Sequence, residues 1–231
     1  MNVFSSLIDE SDLMRIVPVF GGPKTPTTLW WLTGVMLLLE GVAQLSDQGW
    51  FGVFDLRSLM ISHAAFWDFL FPPGTVDHAL YLGQPYAMLI TYAFLHAGTI
   101  HVLMNTVVLI ALGKTLAIYF GLRLTLLTML ISAIVSAVMF GLLEKTPAPM
   151  VGASGVVFGL IGFWLQASRA ETGRSDRSLV SIIMSLIVIH LLLHVFMGGQ
   201  IAWQAHLGGF VAGYFLMPLF IYGRGFPTHK R

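Results

Sequence analysis

The chain has 231 residues, of which 56% are hydrophobic and only 10% charged, and its mean hydropathy is +0.81. That balance excludes an ordinary water-soluble domain, and a net charge of +1 leaves no basic footprint for nucleic acid. With no cysteine in the chain, disulfides, thiolate metal sites and catalytic thiols are excluded as well.

Residues 1–28 mix acids with Pro and Gly and lack the apolar core of a signal peptide, so they are expected to form a short cytoplasmic arm that is not cleaved off. Six apolar segments follow within residues 29–222, each bounded by charge, Pro or Gly. The first runs from Leu29 to Leu45, the second from Ile100 to Tyr119 and the third from Leu122 to Leu143. The fourth runs from Ser154 to Ala170, the fifth from Leu179 to Met197 and the sixth from Ile201 to Tyr222. These lengths bracket the ~20 residues that an α-helix needs to cross the hydrocarbon core. The expected fold is an all-α polytopic membrane protein, one bundle of six transmembrane helices ending in a cytoplasmic tail, residues 223–231.

The connection between segments one and two, residues 46–99, is too apolar for a solvated loop. Trp50, Phe51, Phe54, Phe66, Trp67, Phe69 and Phe71 fill it, yet Asp55, Arg57, Asp68, Pro72 and Pro73 interrupt any span. Short aromatic pieces of this kind suit an element lying in the membrane interface or packed on the bundle. Glu40, near the outer end of segment one, is expected to reach the interface.

Lysine and arginine set the orientation. All of the 12 basic residues except Arg57 and Lys145 fall on one side of this topology, with Lys114 and Arg123 assigned to the turn between segments two and three. By the positive-inside tendency both termini are cytoplasmic. The N-terminus of segment four and the start of segment six then face the outer leaflet.

Polar groups inside a membrane are costly and are functional-site hypotheses by default. Ser154 opens segment four within Gly152-Ala153-Ser154-Gly155. One reading is helix packing, since Gly155 and Gly159 form a small-xxx-small pair. The other is a nucleophile at a helix N-terminus, which requires a base. His206, in Ala205-His206-Leu207-Gly208-Gly209, supplies one at a depth of ~9 Å along segment six. Gly209 and Gly213 make a second small-xxx-small pair, so contact between segments four and six would bring Ser154 and His206 within hydrogen-bond reach. No carboxylate is placed to orient the histidine, which suggests a Ser–His dyad. His101 and Asn105 lie four apart on one face of segment two and would serve as oxyanion donors with the Ser154 backbone N–H. His190 and His194, four apart on segment five, have the spacing of a metal pair but no third ligand, and packing is the favoured reading.

Taken together, His96, His101 and Asn105, then Gly152-Ala153-Ser154-Gly155, then Ala205-His206-Leu207-Gly208-Gly209 with Gly213, resemble the rhomboid intramembrane serine proteases of the six-helix prokaryotic type, over about residues 85–222. The resemblance implies Ser154 as nucleophile and His206 as general base and acid. It implies oxyanion stabilisation by His101, Asn105 and the backbone near Gly152 and Ser154, with His96 in a supporting role, ordering the loop into segment two. It further implies cleavage of transmembrane protein substrates near the outer face of a lipid bilayer, without metal or cofactor, in a bacterial inner membrane. One departure stands out: many members carry a Trp-Arg pair where this chain has Ala87-Met88, which leaves the anchoring of the first loop to other residues. The competing class is a catalytically silent binder or carrier of membrane proteins.

Overall fold

The structure, a computed structural model, describes residues 22–72, 78–144, 149–172 and 202–223. The fifth apolar segment with His190 and His194 lies outside the described residues, as do Lys145, Arg174 and the C-terminal tail.

Among the described residues five long helices carry the fold: α1 (Thr27–Asp47), α4 (Thr99–Phe120), α5 (Leu122–Leu143), α6 (Ser154–Thr172) and α7 (Trp203–Gly223). Two short helices, α2 (Leu56–Ala64) and α3 (Gln84–Thr91), lie in the first loop. By length and composition α1, α4 and α5 are each apolar enough to cross a membrane. The chain is a helical, polytopic integral membrane protein. Helices suit this solvent because each satisfies its own backbone hydrogen bonds.

The predicted third segment coincides with α5, and the other four described helices extend the predicted segments or trim them by a residue or two at their polar ends. Two assignments change. Lys114 does not sit in a turn but well inside α4, only 1% exposed, and Arg123 lies in the first turn of α5. The turn is a single residue, Gly121, with φ +88° and ψ 147°, a conformation that side-chain-bearing residues rarely adopt. It joins α4 directly to α5.

Three helices share a seam of small residues. A Cβ placed on Gly209 would fall onto the carbonyl of Gly155, and one on Gly213 onto the carbonyl of Gly159. Across α5, Ser132 and Ser136 fill the space beside Gly159 and Gly155. Without side chains in the way, the backbones of α6 and α7 touch, which is how packing replaces the hydrophobic effect between helices in lipid.

The first loop is both core and surface. Phe66, Leu70 and Met88 are fully buried in the hydrophobic cluster of the bundle, while Val53 and Leu82 are 95% and 96% exposed. Phe66–Trp67 (β1) pairs antiparallel with Pro149–Met150 (β2), which stitches this loop to the approach to α6. Asp55 caps α2 by accepting from the Ser58 N–H at 2.9 Å. Part of this loop packs into the bundle, while Val53 and Leu82 stay exposed.

Candidate active site

Ser154 is the first residue of α6, and His206 lies in the first turn of α7. The glycine seam sets these two helices in contact. The His206 Nε2 and the Ser154 Oγ are 2.6 Å apart, a short hydrogen bond. The ring of Phe158 stacks on that of His206, centroids 4.5 Å apart and planes 9° from parallel. Phe158 follows Ser154 by four residues and so shares its helical face. That spacing was the available signal for its part in the site.

Gly152 has φ +120°, and a Cβ there would sit 2.7 Å from His101 Cε1 and 2.8 Å from His101 Nε2. The same point is 3.8 Å from Asn105 Nδ2. His101 and Asn105, on the first two turns of α4, therefore converge on the backbone just before Ser154. The Asn105 Nδ2 is buried and has no hydrogen-bond partner among the described residues. Such a group is costly to leave unpaired, and it points at the place where a ligand atom would sit. The Gly152 N–H, in contrast, donates to the Tyr92 carbonyl at 3.0 Å. Gly152 thus contributes space and backbone shape, and the N–H groups of the first turn of α6, beginning with Ser154, are the ones that lack an intrahelical acceptor.

His96 stands behind this group. Its ring meets His101 edge-on, with centroids 5.0 Å apart and planes at 75°. Its Nε2 accepts a long hydrogen bond, 3.5 Å, from the Ala153 N–H. Burial, reinforced by the neighbouring His101, pulls the His96 pKa down to about 4, so the ring is neutral at physiological pH. Glu144, in the loop between α5 and α6, accepts from the Gln204 Nε2 at 2.9 Å.

Ser154, His206, His101, Asn105, Gly152 and His96 are thus all brought together. Sequence reasoning missed Tyr92, whose carbonyl fixes Gly152 and whose hydroxyl donates to the Ala133 carbonyl at 2.9 Å. Glu40, expected to reach the interface, is buried and held by Arg57 of the first loop at 3.0 Å.

Residues 83–223, more than half of the chain, match the Rhomboid domain family. The chain belongs to the rhomboid family. Similar proteins include RHOMBOID-like protein 1 of Arabidopsis thaliana, 34% identical over 134 residues that make up 58% of this rhomboid chain and 34% of the relative. Rhomboid protease GluP of Bacillus subtilis is 28% identical over 142 residues, 62% of this chain and 27% of that protein. Rhomboid-like protease 1 of Toxoplasma gondii is 30% identical over 135 residues, 57% and 46% respectively. The matched part of this rhomboid spans less than half the length of each of these relatives.

Proposed function

We propose that this rhomboid is an intramembrane serine endopeptidase that cleaves transmembrane segments of membrane-protein substrates by a Ser154–His206 dyad. The observation that carries the reading is the 2.6 Å contact between the Ser154 hydroxyl and the His206 Nε2. A serine hydroxyl is too weak an acid to attack unaided. As its Oγ bonds to the substrate carbonyl carbon, the proton passes to His206 Nε2, and the imidazolium returns it to the departing amine. Phe158 keeps the ring in the plane that this transfer needs. The negative charge that develops on the carbonyl oxygen is met by Asn105 Nδ2, His101 and the Ser154 N–H, three donors on two helices. Water then repeats the sequence on the acyl-enzyme, with His206 again the base. No step calls for a metal or a cofactor.

The bond would be cut near the outer face, since Ser154 opens α6 at the end opposite to the basic loops. The termini are then cytoplasmic, in a bacterial inner membrane. Cysteines introduced into this cysteine-free chain near Lys145 should react with an impermeant thiol reagent from outside, and those near Arg174 should not. Equal reaction at both would reverse or abolish the assignment.

A fluorophosphonate probe tests the chemistry without a natural substrate, because it needs only an activated serine. The wild type should label, Ser154→Ala should not, and His206→Ala should label far more slowly while still eluting as folded protein. An unlabelled wild type would favour the catalytically silent binder or carrier.

A further inference from the structure

Arg57 lies in α2 of the first loop, far along the chain from every residue of the site, yet its guanidinium fastens three separate pieces of the fold. Its Nη2 donates to Glu40 Oε1 at 3.0 Å and its Nη1 to Glu40 Oε2 at 3.3 Å, a two-pronged grip on α1. Its Nε donates to Asp47 Oδ2 at 2.7 Å. The remaining bond goes elsewhere: Nη1 also donates to the backbone carbonyl of His96 at 3.1 Å. The Glu40 side chain is 3% exposed and that of Arg57 19%, so the pair is largely withdrawn from water, where charge-assisted bonds are strong and geometrically demanding.

An anchor for the loop alone needs only the carboxylates. The bond to His96 does something further. His96 is separated from the first residue of α4 by Ala97 and Gly98 only, and Gly98 has φ +152°, a conformation that favours glycine. The His96 ring supports His101 edge-on and accepts from the Ala153 N–H. Fixing its carbonyl therefore fixes the imidazole that backs the oxyanion side of the site. We infer that Arg57 is a positioning residue for that side, holding His96, and through it His101, from the first loop. The inference rests on the proposed serine-protease chemistry. A guanidinium suits this task because its donors form a rigid planar fork, whereas a lysine ammonium is a single point on a flexible stem.

The test measures the rate of fluorophosphonate labelling of the full chain in detergent and in lipid vesicles, with thermal unfolding followed in parallel. Arg57→Lys keeps the charge but cannot span Glu40, Asp47 and His96 together. It should label about tenfold more slowly, as expected for a small misplacement of donors, with an unfolding temperature within a few degrees of wild type. Asp47→Asn, which touches only the outermost leg, should label near the wild-type rate. In a His101→Ala background, Arg57→Lys should bring no further loss, because the group it positions is gone. A loosened scaffold would instead slow both backgrounds alike. Labelling of Arg57→Lys at the wild-type rate, or a tenfold loss that persists without His101, overturns the inference. If Arg57→Lys does not fold, Arg57→Gln is read in the same way. Failure of both to fold makes Arg57 a scaffold residue and also overturns it. A wild type that does not label at all refutes the chemistry itself, which is a different result from a labelled wild type matched by its Arg57 variants.

Discussion

Ser154 and His206 face each other across a seam of glycine and serine, whereas His101 and His96 stand beside a cluster of buried charge. On the first side close backbone contact sets the spacing, with the Arg169 Nη1 also donating across it to the Tyr214 hydroxyl at 3.0 Å. The carbonyls of Gly155 and Gly159 occupy the positions where side chains of Gly209 and Gly213 would be. On the second side Arg57, Glu40 and the His96 carbonyl form a hydrogen-bonded cluster at the junction of the first loop with the bundle. The comparison teaches that one site has two supports with different failure modes. Backbone contact is stiff and fails by steric overlap. A polar cluster is directional and fails when one member loses its partner.

Four experiments probe the contrast, beginning with the largest expected effect. Met88, which stands where the family resemblance leads one to expect an arginine, is fully buried in the apolar cluster. Met88→Arg therefore forces a charge into the core. A loss of about 4 kcal/mol or more is expected, read as failure to yield a folded monodisperse protein. A stable, active Met88→Arg would show that the loop has room for a second arginine. Next, Asn105→Ala removes a donor that has no partner among the described residues. It should slow labelling by roughly 10²–10³ and leave the unfolding temperature unchanged or slightly higher, since an unpaired buried amide is relieved. A large loss of stability would mean that Asn105 is structural.

Third, Gly209→Ala places a methyl group on the Gly155 carbonyl, so α6 and α7 must part. Overpacking of this kind costs roughly 1–3 kcal/mol, and both stability and labelling should fall together. An unaffected rate would show that the dyad tolerates a wider seam. The smallest effect concerns His96. Its pKa is about 4 in the fold and near ~6.5 in an unfolded chain. Between those values the unfolded state binds more protons, so stability present above about pH 6.5 drains away as the pH falls toward 4. From pH 7 to pH 5 the loss should be on the order of 1–2 kcal/mol, and His96→Gln should flatten that part of the profile.

Much of the bundle was legible because lipid imposes long apolar runs, and the third segment was bounded correctly by Gly121 and Glu144. Lys114 misled because a lysine six residues from a helix end was counted with the turn, while α4 buries it inside the bundle. In the site, Ser154 and His206 could be paired from the matching glycine spacings of their helices. Arg57 could not, since its contacts reach back 17 residues to Glu40 and forward 39 to His96. They do so through a loop with no periodicity to reveal which residues meet. Tyr92 escaped notice for a related reason: its backbone carbonyl acts on Gly152, and a backbone acceptor leaves no mark in the choice of side chain.

The one-residue joint at Gly121 couples these two supports in a further way. Helix α4 carries His101 and Asn105, and α5 carries Ser132 and Ser136 of the seam, with no slack between them. Rotation about a helix axis advances by ~100° per residue, so the joint acts as a phase lock between the donor pair and the seam. A residue inserted beside Gly121 would have to be absorbed by unwinding a helix end, or else α5 would turn through more than a quarter circle. In that second case Ser132 and Ser136 leave the glycines and bulkier neighbours arrive in their stead. Length at this joint is thus as strictly specified as chemistry is at Ser154.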